Sequence, residues 1–417
     1  MTRLVIAGGK KLSGETKIQG AKNSALPIMS AALLTESQCV LHNCPELSDV
    51  DVSAQILRHL GSGAKWQNGS LIIDPAGIKD CQIPDRLMRK TRSSIIFLGS
   101  ILARYGEAVM SFPGGCPLGP RPIDLHLSAL RQMGAEIEES HGYVHCKAKN
   151  GLKGADISLS FPSVGATENI ILAASTAKGK TVIQNAAREP EINDLADFLN
   201  SCGAKITGAG QSTVIIDGVA KLSGAEHMVI PDRIAAATYM AAAAATGGNL
   251  RLTGVEPSHL SAILPCFEEA GCRVITKGDA LQIIAPSNLN RVRTIRTMPY
   301  PGFPTDAQAP FMAMCTLAQG TSIFTETIFD CRYKHVDELT RLGAKIRVEC
   351  RMAVVEGVSQ LSGAPVEATD LRGGGAMIVA GLAAQGSTQI SNAQYIDRGY
   401  EHVEQVLESL GADIKRE

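Results

Sequence analysis

One cysteine stands apart from the other ten in the sequence because of the residues around it. Cys116 lies in the segment SFPGGCPLGPRPIDLH (111–126), where glycine and proline predict an exposed loop. Arg121 follows five residues later and would stabilise a thiolate or hold an anion beside it. A thiol in such a loop could act as a nucleophile or as a general acid. Cys44, in HNCPE, lacks the glycines and the arginine, and we interpret it as structural.

Charged residues recur immediately before predicted helices, and most of them are basic. Helix N-termini carry free N–H groups and a partial positive charge, so they attract anions. A lysine or arginine there opposes the helix dipole, and a repeated placement therefore indicates binding of small anions. The residues at these starts are Lys22–Asn23, Lys90–Arg92, Ser163–Gly165, Asp232–Arg233, Thr305–Asp306, Asp370–Arg372, Arg188–Glu189, Arg332 and Asp397–Arg398.

Each of these features also has an ordinary structural interpretation. Thr305–Asp306, taken alone, is better explained as an N-cap pair. Two Asp-Arg pairs could be surface ion pairs, which contribute little. Lys22 could be a solvated lysine, and His126 and His335 could be surface histidines. Gly373–Gly375 could bind a phosphate, but a glycine run alone is a weak signal for such a loop. The recurrence of the charges at equivalent positions favours the functional interpretation.

Those positions are equivalent because the chain contains an internal repeat. An amphipathic helix ends at a glycine, and a hairpin, a small-residue-rich helix and a short strand follow it. Each unit therefore contains about two helices and four strands. Six glycines mark six units at spacings of 68–72 residues, with Gly61 an alternative stop in the first: Gly63, Gly134, Gly203, Gly271, Gly343 and Gly411.

The two ends of the chain complete each other. The last unit stops at GADIKRE, before its second hairpin strand, whereas the chain begins with LVIAGGKKLSG, which is similar to VIIDGVAKLSG (214–224). We therefore predict that the first strand completes the last unit. Three units per domain predict one continuous domain of residues 22–230, with the Cys116 loop, and a second domain of residues 1–21 plus 231–417.

Composition limits the classes of function. The 417 residues include 40 basic and 41 acidic ones, a formal net charge of -1, which argues against a nucleic-acid-binding face. No apolar stretch is long enough for a signal peptide or a membrane span. Eleven cysteines without a CxxC pair indicate a reducing compartment and no metal site. We expect a cytoplasmic protein with neither nucleic-acid nor membrane partners, whose oligomeric state the sequence does not give.

Several motifs in the same order resemble the enolpyruvyl transferase family, across essentially the whole chain. The resemblance implies an α/β fold of two inside-out α/β barrel domains, each built from three βαβαββ-like repeats. The motifs are GAKNSALP (20–27), PGGCPLGPRPIDLH (113–126), SVGATEN (163–169), NAAREPEI (185–192), FPTDAQA (303–309), ATDLR (368–372) and IDRGYE (396–401).

The resemblance implies transfer of the enolpyruvyl group of phosphoenolpyruvate to the 3'-hydroxyl of UDP-N-acetylglucosamine, with release of phosphate. This addition–elimination is the first committed step of peptidoglycan synthesis, and no cofactor is implied. The PGGC loop and the SVGATEN turn favour the nucleotide sugar as acceptor. The alternatives are a 5-enolpyruvylshikimate-3-phosphate synthase-like transferase and a non-catalytic paralogue that binds nucleotide sugars.

Site residues follow from the same resemblance. Asp306 is the implied base, and Cys116 the implied general acid and the target of the epoxide fosfomycin. Phe161–Pro162 replace a lysine that some members carry near the diphosphate. The implied catalytic residues are Cys116, Asp306, Lys22 and Arg398. The implied substrate-binding residues are Lys22, Asn23, Arg92, Arg121, Pro122, Ile123, Asp124, Leu125, Ser163, Val164, Gly165, Asp306, Ile328, Arg332, Asp370, Arg372 and Arg398.

Overall fold

A computed structural model describes residues 2–114 and 122–417 of the chain. The strands of these residues are β1 (Leu4–Ala7), β2 (Ser13–Lys17), β3 (Cys39–His42), β4 (Gly63–Gln67), β5 (Ser70–Asp74), β6 (Gln82–Ile83), β7 (Glu107–Ser111), β8 (Glu136–Ser140), β9 (Tyr143–Lys147), β10 (Asp156–Ser158), β11 (Lys180–Gln184), β12 (Lys205–Thr207), β13 (Thr213–Asp217), β14 (Glu226–Met228), β15 (Asn249–Thr253), β16 (Arg273–Lys277), β17 (Ala280–Ile284), β18 (Thr294–Arg296), β19 (Thr321–Thr325), β20 (Lys345–Glu349), β21 (Met352–Glu356), β22 (Pro365–Glu367), β23 (Ser387–Ser391) and β24 (Asp413–Arg416).

Helices connect the strands. The α-helices of the described residues are α1 (Lys22–Ala31), α2 (Ser48–Leu60), α3 (Asp85–Met88), α4 (Phe97–Tyr105), α5 (Asp124–Gln132), α6 (Val164–Ala174), α7 (Pro190–Ser201), α8 (Arg233–Ala245), α9 (Leu264–Glu269), α10 (Thr305–Cys315), α11 (His335–Arg341), α12 (Leu371–Ala383) and α13 (Val403–Ser409). Short 3₁₀ helices span Ala32–Leu34, Pro75–Gly77, Arg92–Ile96, Pro257–Leu260 and Ala393–Arg398.

Six four-stranded sheets share one pattern of pairing. In the sheet β18-β19-β21-β20, a short strand pairs in parallel with a longer one, which pairs antiparallel with a hairpin. The other sheets are β14-β3-β5-β4, β6-β7-β9-β8, β10-β11-β13-β12, β16-β17-β15-β2 and β22-β23-β1-β24. The predicted α/β class and the six repeats are confirmed.

The first strand completes the last repeat, as the sequence predicts. Leu4 of β1 lies opposite Ile390 of β23 on one side and Arg416 of β24 on the other, antiparallel to both. In the same way β14 pairs in parallel with β3, and β2 pairs in parallel with β15. Strands distant in sequence therefore close the arrays of sheets.

The described residues form two compact units. The continuous unit extends from Gly20 to Ile230, and the discontinuous unit comprises the segment ending at Gln19 together with Pro231–Glu417. Each has its own hydrophobic core and contains three of the six sheets. In the discontinuous unit, α8, α10 and α12 pack against one another, and nearly all of their residues are buried. Alanine and glycine allow these helices to approach closely.

Glycines end the amphipathic helices as predicted, and the structure shows which of two glycines ends the first of these helices. Gly61, in the left-handed conformation at φ 101°, ends α2, whereas Gly63 already begins β4. The five later stops, at Gly134, Gly203, Gly271, Gly343 and Gly411, all have positive φ. Within the described ranges, no helix is both long enough and apolar enough to cross a membrane.

Candidate functional site

In the discontinuous unit, two arginines hold the carboxylate of Asp306. Asp306 is the second residue of α10, and its side chain is 30% exposed. Its Oδ1 accepts from Arg332 Nη2 at 3.1 Å, and its Oδ2 accepts from Arg372 Nη2 at 3.2 Å. Both guanidinium groups are almost fully buried, so the carboxylate is oriented by two immobile cations and remains accessible from solvent.

The two arginines have hydrogen-bonding capacity left over. Among the described residues, the Nε atoms of Arg332 and Arg372 are buried and have no hydrogen-bond partner. One carboxylate also neutralises only one of the two charges. Buried arginine N–H groups that have no acceptor in the described part of the chain are suited to a small anion.

Arg372 is held in place from several sides. Its guanidinium lies 5.7 Å from the centre of the Tyr400 ring, and the Tyr400 hydroxyl lies 3.0 Å from that of Thr238. Asp370 caps α12 by accepting from the backbone N–H groups of Arg372 and Gly373. Burial alone would lower the pKa of Arg372, but the negative charge of Asp306 reverses this, and the net change is upward.

Three structural interpretations from the sequence are wrong in this unit. Asp306 does not cap α10: Pro304 occupies the cap position, and Asp306 binds the arginines instead. His335 is buried rather than on the surface, and burial lowers its pKa to about 4. The glycine run does not form a phosphate loop: it lies inside α12, where a Cβ on Gly375 would come within 2.5 Å of the Tyr400 hydroxyl.

Two further arginines predicted at helix starts belong to this unit, and only Arg233 begins a helix. Arg233 begins α8 directly after Asp232, which accepts from the N–H groups of Ile234 and Ala235 as an N-cap. Arg398 ends the short helix Ala393–Arg398 and is half-buried. Its neighbour Asp397 pairs with Arg416, with Oδ1 to Nη2 at 2.7 Å. Ile328 follows β19, and its backbone N–H donates to Glu326.

The continuous unit has a buried ion pair at the start of α1. Lys22 Nζ donates to Asp49 Oδ2 at 3.0 Å, and the two side chains are only 8% and 3% exposed. Lys22 is therefore not a solvated lysine. One Nζ–H bond leaves two further donors on the ammonium. Asn23 follows at a half-buried position of the same turn.

A second polar contact fixes the helix that carries Lys22. Ser24 donates to Asp194 of α7 through a short hydrogen bond. Asp194 also contacts His227 Nε2 at 2.8 Å and accepts from the Ile230 backbone N–H at 3.3 Å. Serine and histidine both bind the aspartate here, so this is not a nucleophilic triad. The contacts instead hold the first turn of α1 against α7.

Two segments predicted to bind the nucleotide sugar, the start of α5 and the Ser163–Gly165 turn, lie beside a buried histidine. Ser163 caps α6, and a Cβ on Gly165 would lie 3.1 Å from Cε1 of His126, which belongs to α5. His126 Nδ1 is 2.8 Å from Asn169 Nδ2, and Asn169 also accepts from the Gly99 backbone N–H at 2.7 Å. The start of α5, with Asp124 and Leu125, is thereby fixed beside the Ser163–Gly165 turn.

A cavity of about 270 Å³ opens at the start of α5 in the continuous unit. Of the residues singled out in the sequence, it is lined by Arg92, Pro122, Ile123 and Asp124. Cys116, the predicted reactive thiol, and Arg121, one of the predicted phosphate-binding residues, lie outside the described residues.

Sequence reasoning missed several of the side chains that position these groups. Asp49 and Asp194 lie far in sequence from Lys22 and Ser24, which they bind, and match none of the quoted motifs. His126, Glu168 and Asn169 do lie within quoted motifs, but no residue pattern indicates their contacts. Glu168, beside Asn169, is fully buried, and burial reinforced by Glu191 raises its pKa well above the usual value. The missed residues are Asp49, His126, Glu168, Asn169, Asp194 and Glu326.

Comparison with known proteins places the chain in one family. The sequence model described as EPSP synthase (3-phosphoshikimate 1-carboxyvinyltransferase) matches residues 6–407. The chain is 51% identical over 416 residues to UDP-N-acetylglucosamine 1-carboxyvinyltransferase 2 of Caldanaerobacter subterraneus, covering 100% of both chains. It is also 51% identical to UDP-N-acetylglucosamine 1-carboxyvinyltransferase 1 of Carboxydothermus hydrogenoformans, covering 100% of this chain and 98% of that one.

Solved structures of low sequence identity share the fold. The enolpyruvyl transferase NikO from Streptomyces tendae has a TM-score of 0.89 at 24% identity, covering 100% of this chain and 98% of that one. EPSP synthase from Acinetobacter baumannii has a TM-score of 0.75 at 20% identity, covering 100% of both chains. The family model and the two relatives show that the chain belongs to the EPSP synthase family, and the solved structures show that it shares their fold.

Proposed function

We propose that this chain transfers the enolpyruvyl group of phosphoenolpyruvate to the 3'-hydroxyl of UDP-N-acetylglucosamine and releases phosphate. Two relatives of about half-identical sequence and full length carry that activity in their names. The structural observation that best supports the proposal is Asp306, a solvent-accessible carboxylate oriented by two buried arginines. Residues 22–230 and 1–21 plus 231–417 are the two proposed domains.

Addition is the first half of the proposed reaction. The sugar 3'-oxygen bonds to C2 of phosphoenolpyruvate while Asp306 accepts the hydroxyl proton, and a proton is delivered to C3. Cys116 is the proposed donor of that second proton. The product is a tetrahedral intermediate that still carries the phosphate. Lys22, Arg121 and Arg398 are proposed to bind the phosphate, with Arg92, Arg332, Asp370 and Arg372 around the two charged groups of the substrate.

Elimination completes the transfer. The C2–O bond to phosphate breaks, C3 loses a proton, and the enol ether forms on the sugar. Cationic side chains stabilise the departing phosphate in this step. The acceptor is proposed to contact Asn23, Pro122–Leu125, Ser163–Gly165 and Ile328. The cytoplasm is the proposed compartment, and the ten described cysteines are all free thiols, as a reducing compartment favours.

The acceptor is tested by phosphate release from phosphoenolpyruvate. We expect release with UDP-N-acetylglucosamine and none with shikimate 3-phosphate. Release with shikimate 3-phosphate alone would assign the sister activity. Binding of the nucleotide sugar without any release would identify a non-catalytic paralogue.

The thiol is tested with fosfomycin. We expect covalent inactivation, faster when UDP-N-acetylglucosamine is bound, with the adduct on Cys116 by mass spectrometry. Cys116→Asp should resist the drug and keep some activity, because a carboxylic acid can also donate a proton. An adduct on another residue, or an inactive Cys116→Asp enzyme, would contradict the proposed role.

A further inference from the structure

We propose that Glu326 is a positioning residue that couples the acceptor-binding loop at Ile328 to the carboxylate of Asp306. The inference rests on the proposed function, because it concerns the same acceptor and the same base. Glu326 follows β19 directly, and its side chain is 1% exposed. A buried carboxylate is stable only when its oxygens are hydrogen-bonded, so the partners of this group define its role.

Both oxygens of Glu326 accept hydrogen bonds from structurally important groups. Oε1 accepts from the backbone N–H groups of Ile328 at 2.7 Å and Phe329 at 3.0 Å. Oε2 accepts from the hydroxyl of Thr305 at 3.0 Å. The first two bonds fold the loop after β19 back on itself, and the third ties that loop to the first residue of α10, one position before Asp306.

The contacts close into a ring that passes through the proposed base. The backbone oxygen of Thr305 accepts from Arg332 Nη2 at 3.0 Å, and the same nitrogen donates to Asp306 at 3.1 Å. The guanidinium of Arg332 lies 5.7 Å from the centre of the Phe329 ring. Phe329 leads back to Glu326 through its N–H group. A displacement of Glu326 would therefore shift Ile328 and Arg332 together.

This arrangement has a consequence for catalysis. A displacement of about 1 Å at a reacting group can reduce turnover by about 10²-fold. Loss of the carboxylate would also remove the acceptor of two backbone N–H groups, which favours another loop conformation. The acceptor contact at Ile328 and the orientation of Asp306 would then change at once, whereas Lys22 and Arg398 lie outside the ring.

A glutamate of the same unit provides a matched control. Glu256 also accepts from a nearby loop, at 3.2 Å from the Ser258 N–H and 2.7 Å from its hydroxyl. It caps the short helix Pro257–Leu260, and these contacts are exposed and do not involve the arginine cluster. Glu256→Ala thus removes a loop contact without touching the ring, and its kinetic constants should stay at wild-type values.

The experiment compares Glu326→Ala, Glu326→Gln, Thr305→Val, Thr305→Ser and Glu256→Ala by steady-state kinetics and thermal unfolding. For Glu326→Ala we expect the KM for UDP-N-acetylglucosamine to rise about tenfold and kcat to fall about tenfold, with the KM for phosphoenolpyruvate within about twofold. Glutamine can still accept from both backbone N–H groups, so Glu326→Gln should recover most of the loss. Thr305→Val should lower kcat about fivefold, and Thr305→Ser, which retains the hydroxyl, about twofold or less.

Two results would overturn the inference. One is wild-type kinetics in folded Glu326→Ala; the other is a parallel rise of both KM values with a lower Tm, which indicates a general structural role. If Glu326→Ala does not fold, the coupling is tested by comparing Thr305→Val with Thr305→Ser. Equal kinetics of these two variants would contradict the coupling. Absence of turnover in the wild type would instead refute the proposed function. In that case the role of Glu326 is tested by measuring the affinity for UDP-N-acetylglucosamine by calorimetry. Glu326→Ala should lower this affinity about tenfold, and Glu326→Gln should largely retain it.

Discussion

The two units have side chains of opposite charge in the first turn of equivalent helices, a lysine in α1 and an aspartate in α10. The continuous unit begins α1 with Lys22, which pairs with one buried carboxylate. The discontinuous unit begins α10 with Thr305 and Asp306, and Asp306 pairs with two buried arginines. Counting only these side chains, the Lys22–Asp49 pair is formally neutral, whereas Asp306 with its two arginines has one positive charge.

The comparison separates what the repeat provides from what the side chains provide. Each repeat brings the first turn of a buried helix to a defined place, whichever residue occupies it. The chemistry depends on the partners: a buried cation with spare donors favours an anion, while a half-exposed carboxylate clamped by arginines can accept a proton. The same architecture can therefore present a cation at one helix start and a proton-accepting carboxylate at another.

The largest effect is expected for a change of the carboxylate in the discontinuous unit. Asp306→Asn keeps the shape and one acceptor but cannot act as a base. We expect kcat to fall about 10²–10⁴-fold, the range associated with loss of general base catalysis. Affinity for the nucleotide sugar, measured by calorimetry, should change much less. Turnover within about tenfold of wild type would exclude Asp306 as the base.

The corresponding change in the continuous unit affects stability as well as activity. Lys22→Met removes the cation that pairs with the buried Asp49 carboxylate, and the free energy of unfolding should fall by about 3–5 kcal/mol in denaturant titrations. The double variant Lys22→Met/Asp49→Leu removes both charges and should regain most of that loss. Both variants should show kcat/KM for phosphoenolpyruvate reduced about 10²-fold or more. Activity in the stable double variant would show that the pair is purely structural.

A smaller effect concerns pH and the discontinuous unit. Burial, with the charge of Arg332, lowers the pKa of His335 to about 4, although Asp370 acts in the opposite direction. The folded pKa lies below the unfolded value of about 6.5, so this contribution to stability is present above pH 6.5 and is lost as the pH falls towards 4.

His335→Gln removes that titration. Between about pH 7 and pH 4.5, the wild type should lose about 2–3 kcal/mol more unfolding free energy than the variant. Measuring both proteins by denaturant titration at each pH cancels the contributions of other groups. Equal pH dependence of the two proteins would show that His335 titrates normally.

The continuous unit should respond to pH with the opposite sign. Burial, with Glu191 and Glu189, raises the pKa of Glu168 well above its usual value. The stabilising state is the protonated one, so its contribution is present at acid pH and is lost as the pH rises towards the folded pKa. Glu168→Gln mimics the protonated acid and should become progressively more stable than the wild type with increasing pH. A constant difference across the pH range would contradict this shift.

The features predicted correctly from the sequence are the local or periodic ones. The glycine stops recur every 68–72 residues, and the first strand resembles the segment 214–224, so the repeats and their closure were predictable. The partner of Lys22 lies 27 residues away, and that of Ser24 lies 170 away, so no local pattern identifies them. Thr305–Asp306 resembles a cap because the arginines that bind Asp306 lie 26 and 66 residues later in the chain.

The most direct test is identification of the product. UDP-N-acetylglucosamine incubated with phosphoenolpyruvate and wild-type protein should gain the mass of one enolpyruvyl group, with the new ether at the 3'-oxygen by NMR, and one phosphate should be released for each product formed. Under the same conditions Asp306→Asn should form product only slowly. An unmodified nucleotide sugar, or equal rates for the two proteins, would contradict the central claim that Asp306 and its two arginines activate this acceptor.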